Sequence, residues 1–357
     1  TRGFGVHSGM PMKMAKELCP EAIVIKGNAG NYSKHSDIVT DIIKEHVPLF
    51  EKSSIDEFYA DLTGMDRFYG CHQYSTELRH KIIKETGLPI SFGLSANKVV
   101  SKVATNEAKP NNELRIDVGY EKPFLAPLSI KKIPMVGDKT YQTLRNLGLR
   151  QIKTIQEMPM DMMQRVLGAN GGVIWKRANG IDNTPVIPFS ERKSISTERT
   201  FDRDTIDVIK LRGILIAMTE NLAYQLRRGK KLTACIAVKI RYSDFNTYSK
   251  QLKIPYTSAD HILIPKILDL FNTLYNKRLL IRLVGIRFSH LVQGHYQINL
   301  FDDTEEILNL YNALDKIRER YGDKSVIRAS GMGAKTIGRM QNPFNGQPPI
   351  VLAHRKL

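Results

Sequence analysis

The chain runs to 357 residues, 42% apolar and 25% charged, a globular balance sized for two or three domains that sets aside disordered, collagen-like and coiled-coil readings. Three cysteines (Cys19, Cys71, Cys235), odd in number and in no CxxC pair, argue against a disulfide framework or a structural zinc site and fit a reducing, cytoplasmic setting; no apolar run reaches the roughly 18 residues of a membrane span. Basic residues outnumber acidic ones 53 to 36, and the net charge of +17 points to polyanionic partners, nucleic acid ahead of membrane.

The opening Thr1-Arg2-Gly3-Phe4-Gly5 has neither an initiator Met nor the regions of a signal peptide, so the chain is expected to start inside a longer one. A short helix over 10–18 stops before Pro20, and Ala22-Ile23-Val24-Ile25 has the composition of a strand. Helical spacing of Ile38, Val39, Ile42 and Ile43 predicts a helix over 32–46. Two strands around residues 50–62 flank a polar turn, Ser53-Ser54-Ile55-Asp56-Glu57, followed by helices over 72–86 and 96–108 with a strand at 89–94 between them. This mixture implies an α/β layer. Residues 117–185 read as short helices punctuated by Gly and Pro, and 185–193 as a polar linker.

Beyond the linker the order is strand, helix (206–228), strand (232–242), strand (248–254), helix (259–276), strand (279–288), a split βαβ pattern. Ile236, Val238 and Ile240 alternate with Lys239 and Arg241, giving one apolar and one basic sheet face. Residues 190–290 hold 19 basic and 9 acidic side chains, more than half of the excess charge. A helix at 304–321 precedes a Gly-, Asn- and Pro-rich end.

Four constellations could carry chemistry. The adjacent carboxylates Asp56 and Glu57, with Asp61 one strand away, suit Mg²⁺, though taken alone an Asp-Glu pair in a turn is better read as a solvated turn. Lys98 and Lys102 share a helix face with Lys109 at its end, and with Arg2 they supply cations of the kind phosphoryl transfer uses; a solvated helix face is the plain alternative. Pro134-Met135-Val136-Gly137 between two short helices can bring backbone N–H groups to a phosphate, or simply turn the chain. Gln297-Ile298-Asn299-Leu300-Phe301 pairs a side-chain amide with two apolar anchors, as a ligand for a partner's pocket or as cover for the sheet.

The strings Arg2-Gly3-Phe4-Gly5, Gly9-Met10-Pro11, Ser54-Ile55-Asp56-Glu57, Gly93-Leu94-Ser95-Ala96-Asn97-Lys98, Ala108-Lys109-Pro110-Asn111, Arg192-Lys193-Ser194-Ile195 and Val284-Gly285-Ile286-Arg287-Phe288-Ser289 occur in an order that resembles the Y-family, lesion-bypass DNA polymerases of the bacterial DNA polymerase IV type, over about residues 1–301. The resemblance implies an α+β right-hand fold: fingers (1–28), palm (29–116), thumb with a helix-hairpin-helix (117–186), linker (187–193), a β-α-β-β-α-β little finger (194–291) and a tail (292–357). It implies template-directed DNA synthesis past damage, with Asp56 and Glu57 on two Mg²⁺ ions. Arg2 and Lys109 would hold the triphosphate, and Gly137, Lys193, Arg241 and Arg287 would contact DNA. Gln297, Leu300 and Phe301 resemble a sliding-clamp-binding motif. Implied partners are primer-template DNA, an incoming dNTP and the bacterial sliding clamp, with the protein itself a monomer. The family's third metal-binding Asp, its sugar-gate aromatic and a triphosphate-binding Tyr would all precede Thr1, which leads to the expectation of an impaired or inactive polymerase. The competing class is a non-catalytic DNA- and clamp-binding factor on the same scaffold. A helix-hairpin-helix glycosylase or nuclease would leave the basic split βαβ domain unexplained.

Overall fold

The computed structural model describes residues 1–25, 27, 29–65, 70–188, 192–277, 279–294, 305–322 and 325–334. After a 3₁₀ turn at Arg2–Phe4 come α1 (Met12–Leu18), α2 (Ala29–His46), the antiparallel pair β1 (Leu49–Lys52) and β2 (Phe58–Asp61), and α3 (Cys71–Thr86). Then β3 (Phe92–Leu94), α4 (Lys98–Ala108) and β4 (Glu113–Arg115) form a parallel crossover. Three of the four residues of the apolar stripe read from the sequence are core here: Val39, Ile42 and Ile43 of α2, with Val47 just beyond its end, meet Ile82 of α3 over Phe50 and Phe58, while Ile38 stays exposed.

Gly93 explains how close α4 lies to β3. A Cβ there would stand 2.4 Å from the Ser101 carbonyl oxygen and 2.6 Å from the Thr105 nitrogen, so only glycine admits the helix. The expected strand at residues 22–25 does not form. Ile23 and Ile25 are 89% and 85% exposed, and among the described residues no edge pairs with them. Strand composition states a preference, whereas a strand needs a hydrogen-bonded neighbour.

A second unit is helical: α5 (Glu121–Leu125), a 3₁₀ turn (Ile130–Lys132), α6 (Asp138–Asn146), α7 (Ile152–Glu157), α8 (Met160–Leu167) and α9 (Ala169–Ala178). Leu125, Ile130, Leu144, Ile152, Ile155 and Met163 are fully buried, and Val100 and Val103 of α4 join them. Helix α4 therefore serves both units, with one face on β3 and another in this core.

The third unit contains β5 (Ser194–Thr205), α10 (Val208–Arg228), β6 (Lys231–Tyr242), β7 (Thr247–Thr257), α11 (Asp260–Leu274) and β8 (Ile281–Gln293), the order read from the sequence. Its sheet is antiparallel in the order β5-β8-β6-β7. Ile236, Val238, Ile240, Val284, Ile286 and Phe288 point to the two helices, each buried side chain worth about 1.5–3 kcal/mol.

A last helix, α12 (Glu305–Tyr321), and a 3₁₀ turn (Ala329–Ala334) pack onto this unit. Arg227 of α10 donates to both Asp315 carboxylate oxygens (2.6 and 2.9 Å) and to Asp260 (2.9 Å), and Arg318 and Arg328 flank Glu220 at 3.6 and 3.2 Å. The segment read as a tail thus contributes a buried ionic seam to the domain before it.

Candidate active site

The five-residue connection between β1 and β2 carries the carboxylate pair. Its backbone closes through Ser53 and Ser54 N–H groups on the Glu57 carbonyl (2.9 and 3.2 Å), and the Ser54 hydroxyl donates to Asp56 Oδ1 at 2.7 Å. From beneath, Ser36 of α2 donates its hydroxyl to the Ile55 carbonyl at 2.5 Å. Asp56 is exposed and Glu57 half-exposed, so both can meet a solvated ligand. Asp61 lies at the far end of β2, paired in register with Leu49. It accepts from the Thr63 hydroxyl and N–H (2.5 and 2.9 Å), bonds that hold its carboxyl below the usual range and commit it to the turn.

Helix α4 supplies the facing cations. Asn97 caps it, accepting from the Val100 N–H at 3.0 Å, and its amide reaches the Gly180 carbonyl at 2.8 Å. Lys98, Lys102 and Lys109 recur at intervals of four and seven residues, which at about 100° per residue keeps them on one stripe. The sequence grouped all three as phosphate cations, and the tertiary structure divides them. Lys98 donates to Glu51 at 2.6 Å and to the Pro185 carbonyl at 3.3 Å, while the Ile187 N–H donates to the same Glu51 oxygen at 2.9 Å. With side chains only 15% and 10% exposed, Lys98 and Glu51 are a partly buried lock between the hairpin and the chain leaving α9. Lys102 pairs with Glu57 itself. Lys109, exposed at the end of α4, makes no side-chain hydrogen bond or ion pair among the described residues, and neither does Arg2 in its exposed 3₁₀ turn. The structure shows no hydrogen bond or ion pair between Arg2 and the carboxylate pair.

Tyr59 completes this corner. Its hydroxyl pKa is pushed up to about 12, first by burial and then by Glu57, Glu51 and Asp182, and Lys98 sits 4.9 Å over its ring. Neither Glu51 nor Tyr59 stood out in the sequence. They face each other across β1 and β2, a register that becomes informative only once the hairpin is drawn.

As ligands, Asp56 and Glu57 are hard oxygen donors on an open turn, which fits a Mg²⁺ ion that keeps water and phosphate in its shell. Among the described residues no group of three or more His, Cys, Asp or Glu side chains stands together.

The remaining residues singled out lie on two other surfaces. Gly137 is the N-cap of α6, with nothing within 4 Å of where a Cβ would be, so its backbone faces open space. Beside it Met135 takes a left-handed φ of 77°. On the third unit's open sheet face, Arg287 pairs in register with Ser196 and Ala237, and Arg241 pairs with Leu283 and Thr247. Lys239 of the same face bridges over Gly285 to Glu198 at 2.8 Å, which leaves Arg287 exposed as the outward cation of β8. Lys193 is exposed just ahead of β5. Gln297, Leu300 and Phe301 lie outside the described residues.

The impB/mucB/samB family pattern matches residues 1–106, and the pattern of its C-terminal domain matches residues 192–300. A DNA polymerase IV of Dehalococcoides mccartyi is 35% identical over 91% of this chain and 84% of its own length. One of Clostridium acetobutylicum is 30% identical over 91% and 83%. Among solved structures, a Y-family DNA polymerase chimera of Dbh and Dpo4 superposes with a TM-score of 0.69 at 24% identity, covering 82% of this chain and 86% of that one. An insertion ternary complex of Dbh DNA polymerase gives 0.56 at 22% identity, covering 82% and 86%.

Proposed function

Because the chain belongs to the impB/mucB/samB family of Y-family, DNA polymerase IV-type enzymes and is a translesion DNA-directed DNA polymerase, we propose that it adds dNMP to a primer 3′-hydroxyl at Asp56 and Glu57 with two Mg²⁺ ions. The observation that carries this reading is the exposed carboxylate pair on a turn braced by α2 and faced by the lysine stripe of α4. When bound, the ions would align the 3′-hydroxyl with the α-phosphate and stabilise the pyrophosphate leaving group.

The protein's own side chains do the remaining work. Lys102 offsets the charge of Glu57 and fixes the direction its carboxylate takes. Lys109 and Arg2, which pair with no carboxylate among the described residues, receive the triphosphate of the incoming dNTP. Gly137 offers a helix N-terminus to the backbone of primer-template DNA, and Lys193, Arg241 and Arg287 add sequence-independent phosphate contacts. The segment with Gln297, Leu300 and Phe301 docks on the bacterial sliding clamp, which raises the effective concentration of the monomeric polymerase at the primer end. The cysteines among the described residues are free thiols, consistent with work in the cytoplasm.

Single Asp56→Ala and Glu57→Ala variants test the assignment. Each should slow primer extension by at least about a hundredfold and weaken Mn²⁺ binding read by electron paramagnetic resonance, with DNA affinity preserved. Extension at the parent rate would overturn it.

A further inference from the structure

Among the described residues no side-chain hydrogen bond or ion pair holds Lys109, yet a triphosphate ligand needs a defined origin. Its side chain rises from a short crest whose two ends are fixed. On one side Ala108 ends α4 with 7% exposure. On the other, Asn111 turns the chain with a left-handed φ of 46°, a conformation asparagine tolerates, and delivers it into β4 at Glu113.

The group that fixes Asn111 comes from a different element. Arg79 of α3, its side chain 11% exposed, donates through Nη2 to the Asn111 carbonyl at 2.7 Å and to the Asn111 side-chain oxygen at 3.0 Å. Its Nε donates to the Ile90 carbonyl at 2.8 Å, just ahead of β3, and Nη1 lies 3.5 Å from Glu113 Oε2. One guanidinium thereby ties together the entry to β3, the crest after α4 and the start of β4. The Glu113 carboxylate depends on it. Oε1 has the Thr76 hydroxyl at 2.9 Å and His72 at 3.6 Å, but Oε2 is buried, has no hydrogen-bond partner among the described residues and lies 3.5 Å from the Arg79 guanidinium. The acceptors are met from three different nitrogens of a planar fork, a spread that a lysine ammonium, with all its donors on one nitrogen, does not reproduce.

We propose that Arg79 is a positioning residue for nucleotide binding: by clamping Asn111 it fixes the crest from which Lys109 meets the triphosphate. The inference rests on the reading of Lys109 as a triphosphate ligand. The hydrogen bonds and ion pair of Arg79 go to Ile90, Asn111 and Glu113 and none to Asp56 or Glu57.

Six variants decide it: Arg79→Met, Arg79→Lys, Lys109→Ala, Asn111→Gly, and Arg79→Met and Asn111→Gly each combined with Lys109→Ala, with dNTP affinity and maximal rate read separately in single-turnover extension. Arg79→Met should weaken dNTP affinity by about tenfold while the maximal rate stays within about twofold, and it should add nothing in the Lys109→Ala background. Arg79→Lys should not restore affinity. If Lys109→Ala leaves dNTP affinity unchanged, the reading of Lys109 fails. If Lys109→Ala weakens affinity but Arg79→Met does not, or weakens it equally in both backgrounds, the positioning role fails and the reading of Lys109 stands. Should Arg79→Met fold poorly by thermal melting, Asn111→Gly decides alone, since it keeps the backbone conformation and removes one bond to the clamp. It should lower affinity about threefold, and only when Lys109 is present; no change, or a change that persists without Lys109, overturns the proposal.

Discussion

Gly93→Ala bears directly on how the site is held. The added Cβ would lie 2.4 Å from the Ser101 oxygen, 2.6 Å from the Thr105 nitrogen and 2.7 Å from Ala104 Cβ, whereas a relaxed carbon–oxygen contact is about 3.3–3.6 Å. Two of these atoms are backbone and cannot rotate aside, so α4 must retreat from β3 by close to an ångström. Overpacking of this kind costs about 3 kcal/mol, the upper end of the usual range. At about 2–4 °C per kcal/mol the first unfolding transition should fall by about 6–12 °C in scanning calorimetry. Helix α4 carries Lys98 and Lys102 and ends at Lys109, so primer extension should fall even where the variant remains folded. Gly137→Ala is the control: its site is open and its φ of −81° suits any residue, so its stability cost should stay below about 1 kcal/mol. If Gly93→Ala melts within about 2 °C of the parent and extends primers normally, the seating of α4 on β3 does not organise the site.

Two further outcomes follow from the charges of the third unit. Arg318, 5% exposed, lies 3.6 Å from Glu220, 8% exposed, and burial followed by repulsion from Asp260 raises the Glu220 pKa against the opposing pull of Arg318 and Arg328. A carboxyl with a raised folded pKa costs no stability below its unfolded value and costs progressively more as pH rises toward the folded one. Arg318→Met should therefore destabilise the unit by about 3 kcal/mol at pH 7.5 in urea melts, with a smaller deficit near pH 4; equal deficits would count against the buried-charge argument. Arg241→Ala with Arg287→Ala should weaken binding of any duplex sequence and reduce the salt slope of DNA affinity by about 1–2, and an unchanged slope would remove the sheet face from the DNA interface.

The sequence by itself determined what is local or strictly ordered along the chain. Helical spacing in α2, strand alternation in β6, the order of elements beyond the linker, and the order of motifs from Arg2 through Ser54-Ile55-Asp56-Glu57 to Ser289 were enough for the split βαβ unit, the carboxylate turn and the family. A period or a motif reports a residue's own backbone and face. It does not report which distant group that face will meet, and there the tertiary structure decided. Lys98, Lys102 and Lys109 look alike at their spacing, but only contact with Glu51 and Glu57 commits the first two, while the third has no side-chain hydrogen bond or ion pair among the described residues. Ala22-Ile23-Val24-Ile25 has the residues of a strand and no edge to pair with among the described residues. Arg79 reads as one charge on a helix until folding brings Ile90, Asn111 and Glu113 around it. In each case the deciding term is the presence or absence of a partner remote in sequence, which exists only after the chain has closed on itself.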